Sequence, residues 1–260
     1  MAKGVSIKFK SYEETIPKLL NLIKFEKELK KHDKVVLKPF LRDSQTKSTA
    51  VEFAESILKF CLEHKNPVAE VFIAEGSDGE DTMELFNQKG YKRLSEKYSI
   101  GLIDLNYTET ELLEKPDFLK FGKVYYPKIL LESFVISIPP LDFDAELEVI
   151  DSLTNMIGAF PAEHYSGLFS AKKKKIKKWP IKYSICDIII CKIPNFAIID
   201  ASEKGWIISG IPIEIDKHAA KLLGKDWKEI GHLNLIEKEL KFKKEEKKEI
   251  EETQKNILTE

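Results

Sequence analysis

Apolar residues recur along this chain in two periods. Ile16, Leu19, Leu20 and Ile23 keep helical spacing after Thr15, and Pro17 is tolerated in a first turn, so a helix is predicted to about Lys31. Residues 35–38, Val-Val-Leu-Lys, read as a strand. Thr49 and Glu52 stand at capping-box spacing before a helix in which Phe53, Ile57, Leu58 and Cys61 share one face, and Pro67 marks where it has ended. Residues 71–74 are a continuous apolar run of buried-strand length. Asp81 and Glu84 open a further helix that closes near Gly90, and residues 100–104 form the next strand. The alternation predicts an α/β fold with right-handed crossovers, a mainly parallel or mixed sheet and helices on both faces.

Beyond Pro116, strand character returns at residues 124–126, 134–138, 188–190, 196–199 and 206–208. Residues 145–180 are irregular and read as a flap. Ile215 to Leu223 is predicted to be a helix stopped at Gly224, with Asp216 as its N-cap, and Asp226 caps the next segment. From Glu237, charges of both signs alternate, with Glu237/Lys241 and Glu239/Lys243 at favourable spacing for a solvated helix. One α/β domain over residues 1–236 and a charged helical tail over 237–260 follow.

Composition narrows the partners. The 260 residues carry 42 basic and 43 acidic side chains, a net charge of −1, so attraction to nucleic acid or anionic lipid has to come from a local patch. Arg42 and Arg93 are the only arginines, which leaves little for planar bidentate recognition of phosphate. Such a lysine skew, with abundant Ile and Glu, suits AT-rich coding or a heat-adapted, archaeal-like composition. Cys61, Cys186 and Cys191 form no CxxC pair, and on a strand Cys186 and Cys191 would point to opposite faces, which defeats a shared metal. The N-terminus lacks a signal-peptide core, and no apolar run reaches the ~18 residues of a membrane span, so a cytoplasmic address without a membrane partner is expected. P-loop, GxGxxG, GxSxG and HExxH patterns are absent, which weakens ATPase, dehydrogenase, hydrolase and zinc-protease readings.

Several segments, in order, resemble domain-of-unknown-function family 362: Val35-Val36-Leu37-Lys38-Pro39, the run Val71 through Gly76, Phe86 through Tyr91, Ile103-Asp104-Leu105, Ile136 through Pro139, Thr154 through Gly158, Ile198 through Ala201, and Ile215 through Gly224. The resemblance covers roughly residues 33–235 and implies an α/β fold. Some members carry an appended ferredoxin-type iron–sulfur module; its cysteine motifs are absent, so no iron–sulfur cluster is expected. This chain departs from the family where Phe40 replaces an asparagine after Lys-Pro. It departs again where Pro139 to Asp144 replaces a basic, histidine-bearing cluster.

Ligands of open α/β sheets sit outside the carboxyl ends of the strands. That rule places Lys38, Glu75, Gly76, Ser77, Asp104, Pro139 and Asp200 at one rim. The loop from Glu75 to Asp81 offers four carboxylates that suit a hard cation or, more plainly, helix capping. Asp200 and Asp216 resemble retained family positions and are the candidates for a catalytic base or ligand. Asn155 and Gly158 resemble a family pattern, and His164 is the histidine in the flap. The expected function is binding of a small ligand in this cleft, with a divalent cation as a candidate cofactor. The alternative is an interaction protein that meets RNA or an acidic protein through the six lysines between Lys172 and Lys178, followed by Trp179.

Overall fold

The computed structural model describes residues 4–239. In chain order it contains β1 (Gly4–Lys8), α1 (Tyr12–Leu22), α2 (Glu26–Leu29), β2 (Lys34–Pro39), α3 (Val51–His64), β3 (Glu70–Glu75), α4 (Thr82–Gln88), α5 (Tyr91–Tyr98) and β4 (Gly101–Asp104). Then follow β5 (Thr110–Leu113), β6 (Val124–Pro127), α6 (Lys128–Glu132), β7 (Phe134–Ile138), β8 (Asp142–Asp144), β9 (Glu148–Ile150) and α7 (Ala162–Tyr165). Last come α8 (Ile181–Cys191), β10 (Phe196–Ala201), β11 (Trp206–Gly210) and α9 (Pro212–Leu222).

A seven-stranded sheet runs β1-β11-β10-β7-β2-β3-β4. The five strands from β10 to β4 are parallel, and β11 and β1 add an antiparallel edge. The mainly parallel α/β architecture thus matches the alternation of helix and strand in the sequence. Side chains alternate across the pleat: Val35 and Leu37 join a core with Ile16, Leu19, Phe53 and Ile57 from α1 and α3, whereas Val36 joins one with Ile185, Ile188, Ile215 and Ala219 from α8 and α9. The sheet is therefore buried on both sides, which explains why its strands read as unbroken apolar runs.

Four local expectations are corrected. The first predicted helix is broken at Lys24, whose φ is 56°, so that Phe25 can turn into the core against Phe196 with ring centroids 4.5 Å apart. Thr49 does not cap α3, which starts after Ala50 without a side-chain cap. Its hydroxyl instead accepts from the Phe40 N–H at 2.8 Å and donates to the Ile138 carbonyl at 2.8 Å, stitching the ends of β2 and β7. Residues 188–190 belong to α8 rather than to a strand, because the segment enters behind Pro180 and is covered nearly all round; with apolar neighbours on most sides, a β-branched run has no period to betray it. Cys186 and Cys191 are consequently two buried thiols of one helix. Asp216 is not an N-cap, since α9 already begins at Pro212.

The region from 145 to 180 divides. Leu147, Val149, Ile150, Leu153, Met156 and Phe160 are core residues, and only the later part, from Ser166 to Pro180, lies over the surface. Asp226 caps a short turn by accepting from the Lys228 N–H at 3.0 Å. The tail pairs Glu237/Lys241 and Glu239/Lys243 extend beyond the described residues; Glu237 itself meets Lys217 of α9 at 2.7 Å.

Candidate functional site

The cleft lies where β2 and β3 end. Lys38 is the fifth residue of β2 and projects toward the α8 side of the sheet, as Val36 does. It is fully buried. Its Nζ donates to both carboxylate oxygens of Glu75 at 2.8 and 2.9 Å, to the Asn155 carbonyl at 2.7 Å and to Asn155 Oδ1 at 3.1 Å. Burial pushes the Lys38 amine below the usual lysine range, opposed by the attraction of Glu75. Glu75 is completed by the Gly76 and Leu41 N–H groups, at 2.8 and 3.3 Å. No solvent is needed to satisfy this ion pair.

Two glycines let the opposite wall approach. A Cβ on Gly158 would overlap Glu75 Oε1 and lie 2.8 Å from Lys38 Nζ, and one on Gly76 would lie 2.5 Å from the Gly158 carbonyl. Only glycine fits at either position without moving backbone or breaking the ion pair. The Gly158 wall is a 3-10 segment, Thr154–Ala159, fixed from behind. Asp216 accepts from the Ser152 and Leu153 N–H groups at 3.0 and 2.9 Å, while Asp151 accepts from Thr154 N at 2.8 Å and lies 2.9 Å from buried His232 Nε2. Burial and the nearby Asp151 raise the Asp216 carboxyl well above the usual range. Asp216 thus braces the turn that presents Asn155 to Lys38, and does not itself line the cleft.

A second lysine closes the cleft from the surface. Lys173, buried like Lys38, extends its Nζ to the Gly76 and Gly158 carbonyls at 2.8 and 3.2 Å, while its backbone N–H donates to Asp78 at 2.8 Å. Burial lowers its amine to about 7, with the charges of Glu75 and Asp78 acting in the opposite direction. Around it stand Phe40, Leu147, Ile157 and Ile176, with Arg42, Asp78, Glu146 and Lys177 at the mouth. Arg42 binds Asp144 and Glu146, and Lys177 binds Asp78 at 2.7 Å. The remaining cavity is about 20 Å³, room for a single water.

Lys38, Glu75, Gly76, Asn155 and Gly158 therefore converge. Ser77 sits one step behind, its hydroxyl against Glu80 O and Thr82 Oγ1. Asp200 lies elsewhere: Ile198 of the same strand faces α1 and α3, and Asp200 follows it to that side, accepting from Tyr12 OH at 2.7 Å and the Ser202 N–H at 3.0 Å. His164 is also apart, stacked on Tyr125 with centroids 3.7 Å apart. The carboxylates of the Glu75 to Asp81 loop diverge: Glu75 holds Lys38, Asp78 holds Lys177, Glu80 accepts from Ser44, and Asp81 caps α4. Among the described residues, no group of three or more His, Cys, Asp or Glu is placed to hold a metal ion. In the lysine run, Lys173 is buried, Lys175 donates to the His164 carbonyl at 2.8 Å, and Lys177 is paired; Lys172, Lys174, Lys175 and Lys178 remain exposed.

Sequence reasoning did not separate Lys173 from its neighbours, since nothing local distinguishes it from the other lysines. Arg42 carried a signal in being one of two arginines. Asp151 and His232, 81 residues apart, carried none.

Fold and cleft define a three-layer α/β protein with a closed polar site at the carboxyl ends of parallel strands. The chain belongs to the family described as Domain of unknown function (DUF362), which matches residues 35–220. Among curated proteins no relative matches. Of solved structures, the lactate racemase apoprotein from Thermoanaerobacterium thermosaccharolyticum is similar, with a TM-score of 0.53 and 14% identity over 86% of this chain and 57% of that one. A Thermotoga maritima protein gives a TM-score of 0.48 and 13% identity over 85% of this chain and 61% of its own. The chain thus spans about three fifths of either neighbour's length, and the likeness to the first is one of fold.

Proposed function

We propose that this cleft binds a small organic anion, a short-chain carboxylate, which enters when the segment from Ser166 to Pro180 lifts and which then pairs with Lys173. The observation that carries the reading is the setting of the Lys173 ammonium. Lys38, Glu75, Arg42, Asp78, Glu146 and Lys177 each meet an opposite charge, whereas Lys173 Nζ donates only to two carbonyls. A carboxylate would supply the missing partner in a site of low dielectric, where such a pair is strong. Apolar lining from Phe40, Leu147, Ile157 and Ile176 suits a short hydrocarbon body. Because the loop carboxylates already hold cationic side chains or cap backbone, the reading requires no divalent cation. Lactate, for which the similar solved protein is named, belongs to this chemical class and is the first compound to try.

The test is calorimetry with D- and L-lactate and a panel of short 2-hydroxy and 2-oxo acids. Binding should be lost in Lys173→Met. Affinity should fall as pH rises above about 7, where the free amine gives up its proton. A panel that leaves the wild type silent, or binds the variant equally, would remove the assignment.

A further inference from the structure

The segment over the cleft has a second face. It makes a tight turn in which Gly167 and Ser170 bridge, so that Leu168 and Phe169 stand at the tip. They are 89% and 95% exposed, the most exposed large hydrophobic residues among the described ones. The turn is not loose at its base. Gly167 N–H donates to the Lys172 carbonyl at 3.3 Å, and Lys173 anchors the next residue in the cleft. The same segment carries the exposed Lys172, Lys174, Lys175 and Lys178, the Lys175 ammonium donating to the His164 carbonyl at 2.8 Å, and near its end stands Trp179, 65% exposed. No carboxylate occurs between Glu163 and Asp187.

We infer that this turn is a docking wedge for an anionic lipid surface. Two exposed apolar side chains at a turn expose surface that water disfavours, and the lysines flanking it match a negatively charged headgroup layer. Neither signal alone holds a protein to a bilayer; an inserted hydrophobe together with a basic patch does. Two residues reach only the boundary of headgroup and acyl chain, where an indole such as Trp179 also resides. A nucleic acid is a poorer occupant, because Phe169 and Trp179 offer rings to bases but the exposed Leu168 at the tip does not. A folded protein partner would more naturally meet a broad apolar face than a two-residue tip. This surface is independent of whether the cleft takes a carboxylate.

The experiment is co-sedimentation of the full chain with phosphatidylcholine vesicles, with and without about 30% phosphatidylserine. Binding is expected only to the anionic vesicles and should fall steeply as salt is raised. The double substitution Leu168→Ser with Phe169→Ser should weaken it by about tenfold or more without changing the melting temperature, since both side chains are already in water. Replacing Lys172, Lys174, Lys175 and Lys178 by Gln should abolish the preference for phosphatidylserine. Failure of the wild type to sediment with anionic vesicles overturns the inference. Undiminished sedimentation of the serine variant does so too, as would tight binding of single-stranded RNA without any of vesicles.

Discussion

Lys38 and Lys173 are both buried in the same cleft, yet they are held differently. Lys38 is a sheet residue gripped by Glu75 and Asn155. Lys173 arrives on a surface segment and rests on two carbonyls. The difference separates frame from closure. Removing a charge that neutralises a buried carboxylate exposes the full desolvation of its partner, whereas withdrawing one that rests on neutral oxygens leaves only hydrogen bonds unmade.

The largest way to test that contrast is Lys38→Ala, which strands Glu75 and should lower stability by about 3–5 kcal/mol in urea unfolding. Restoring charge balance with Glu75→Gln in the same chain should recover part of the loss; no recovery would mean that packing, not charge, dominates. Next comes Gly158→Ala, whose added methyl wedges between Glu75 and Lys38 and should cost about 2 kcal/mol or more, read as a fall in the urea midpoint with unchanged slope.

Lys173→Met sharpens the comparison through pH. With the folded amine near 7, the unfolded chain binds that proton more tightly between pH 7 and the ordinary lysine value. Its contribution is therefore most unfavourable at and below neutrality, and stability rises with pH across that window by up to about 1.4 kcal/mol per unit. The variant should lose this slope, while Lys120 and Lys192, each lowered to about 8 by burial, keep theirs of the same sign. Smallest is Asp200→Ala, which removes the Tyr12 and Ser202 bonds on the far face. It should cost about 1 kcal/mol in thermal unfolding and leave any lactate binding untouched.

Much of this was legible from the chain. Residues 35–38, 71–74 and 134–138 announced buried parallel strands because both of their faces are covered, and the position of Lys38 and Glu75 at strand ends followed from the topology. The same logic failed for Asp200 because it identifies which end of a strand a residue occupies, not which face. Ile198 and Asp200 share a parity that points to α1, and nothing in residues 196–201 says which helices lie there. Residues 188–190 were misread since a helix with little exposed surface has no amphipathic period. Asp216 and Lys173 each depend on a partner more than 60 residues away, Ser152 and Gly76, which no local spacing encodes.

The pairing of β1 with β11 has a consequence for how the protein is made. Gly4–Lys8 is synthesised before the other strands of the sheet, yet its hydrogen-bonding partner, Trp206–Gly210, emerges some two hundred residues later. The parallel centre of the sheet can assemble while that first strand waits with an open edge. Its closure is then the long-range step that completes the sheet, and the stage of biogenesis at which a chaperone would matter most.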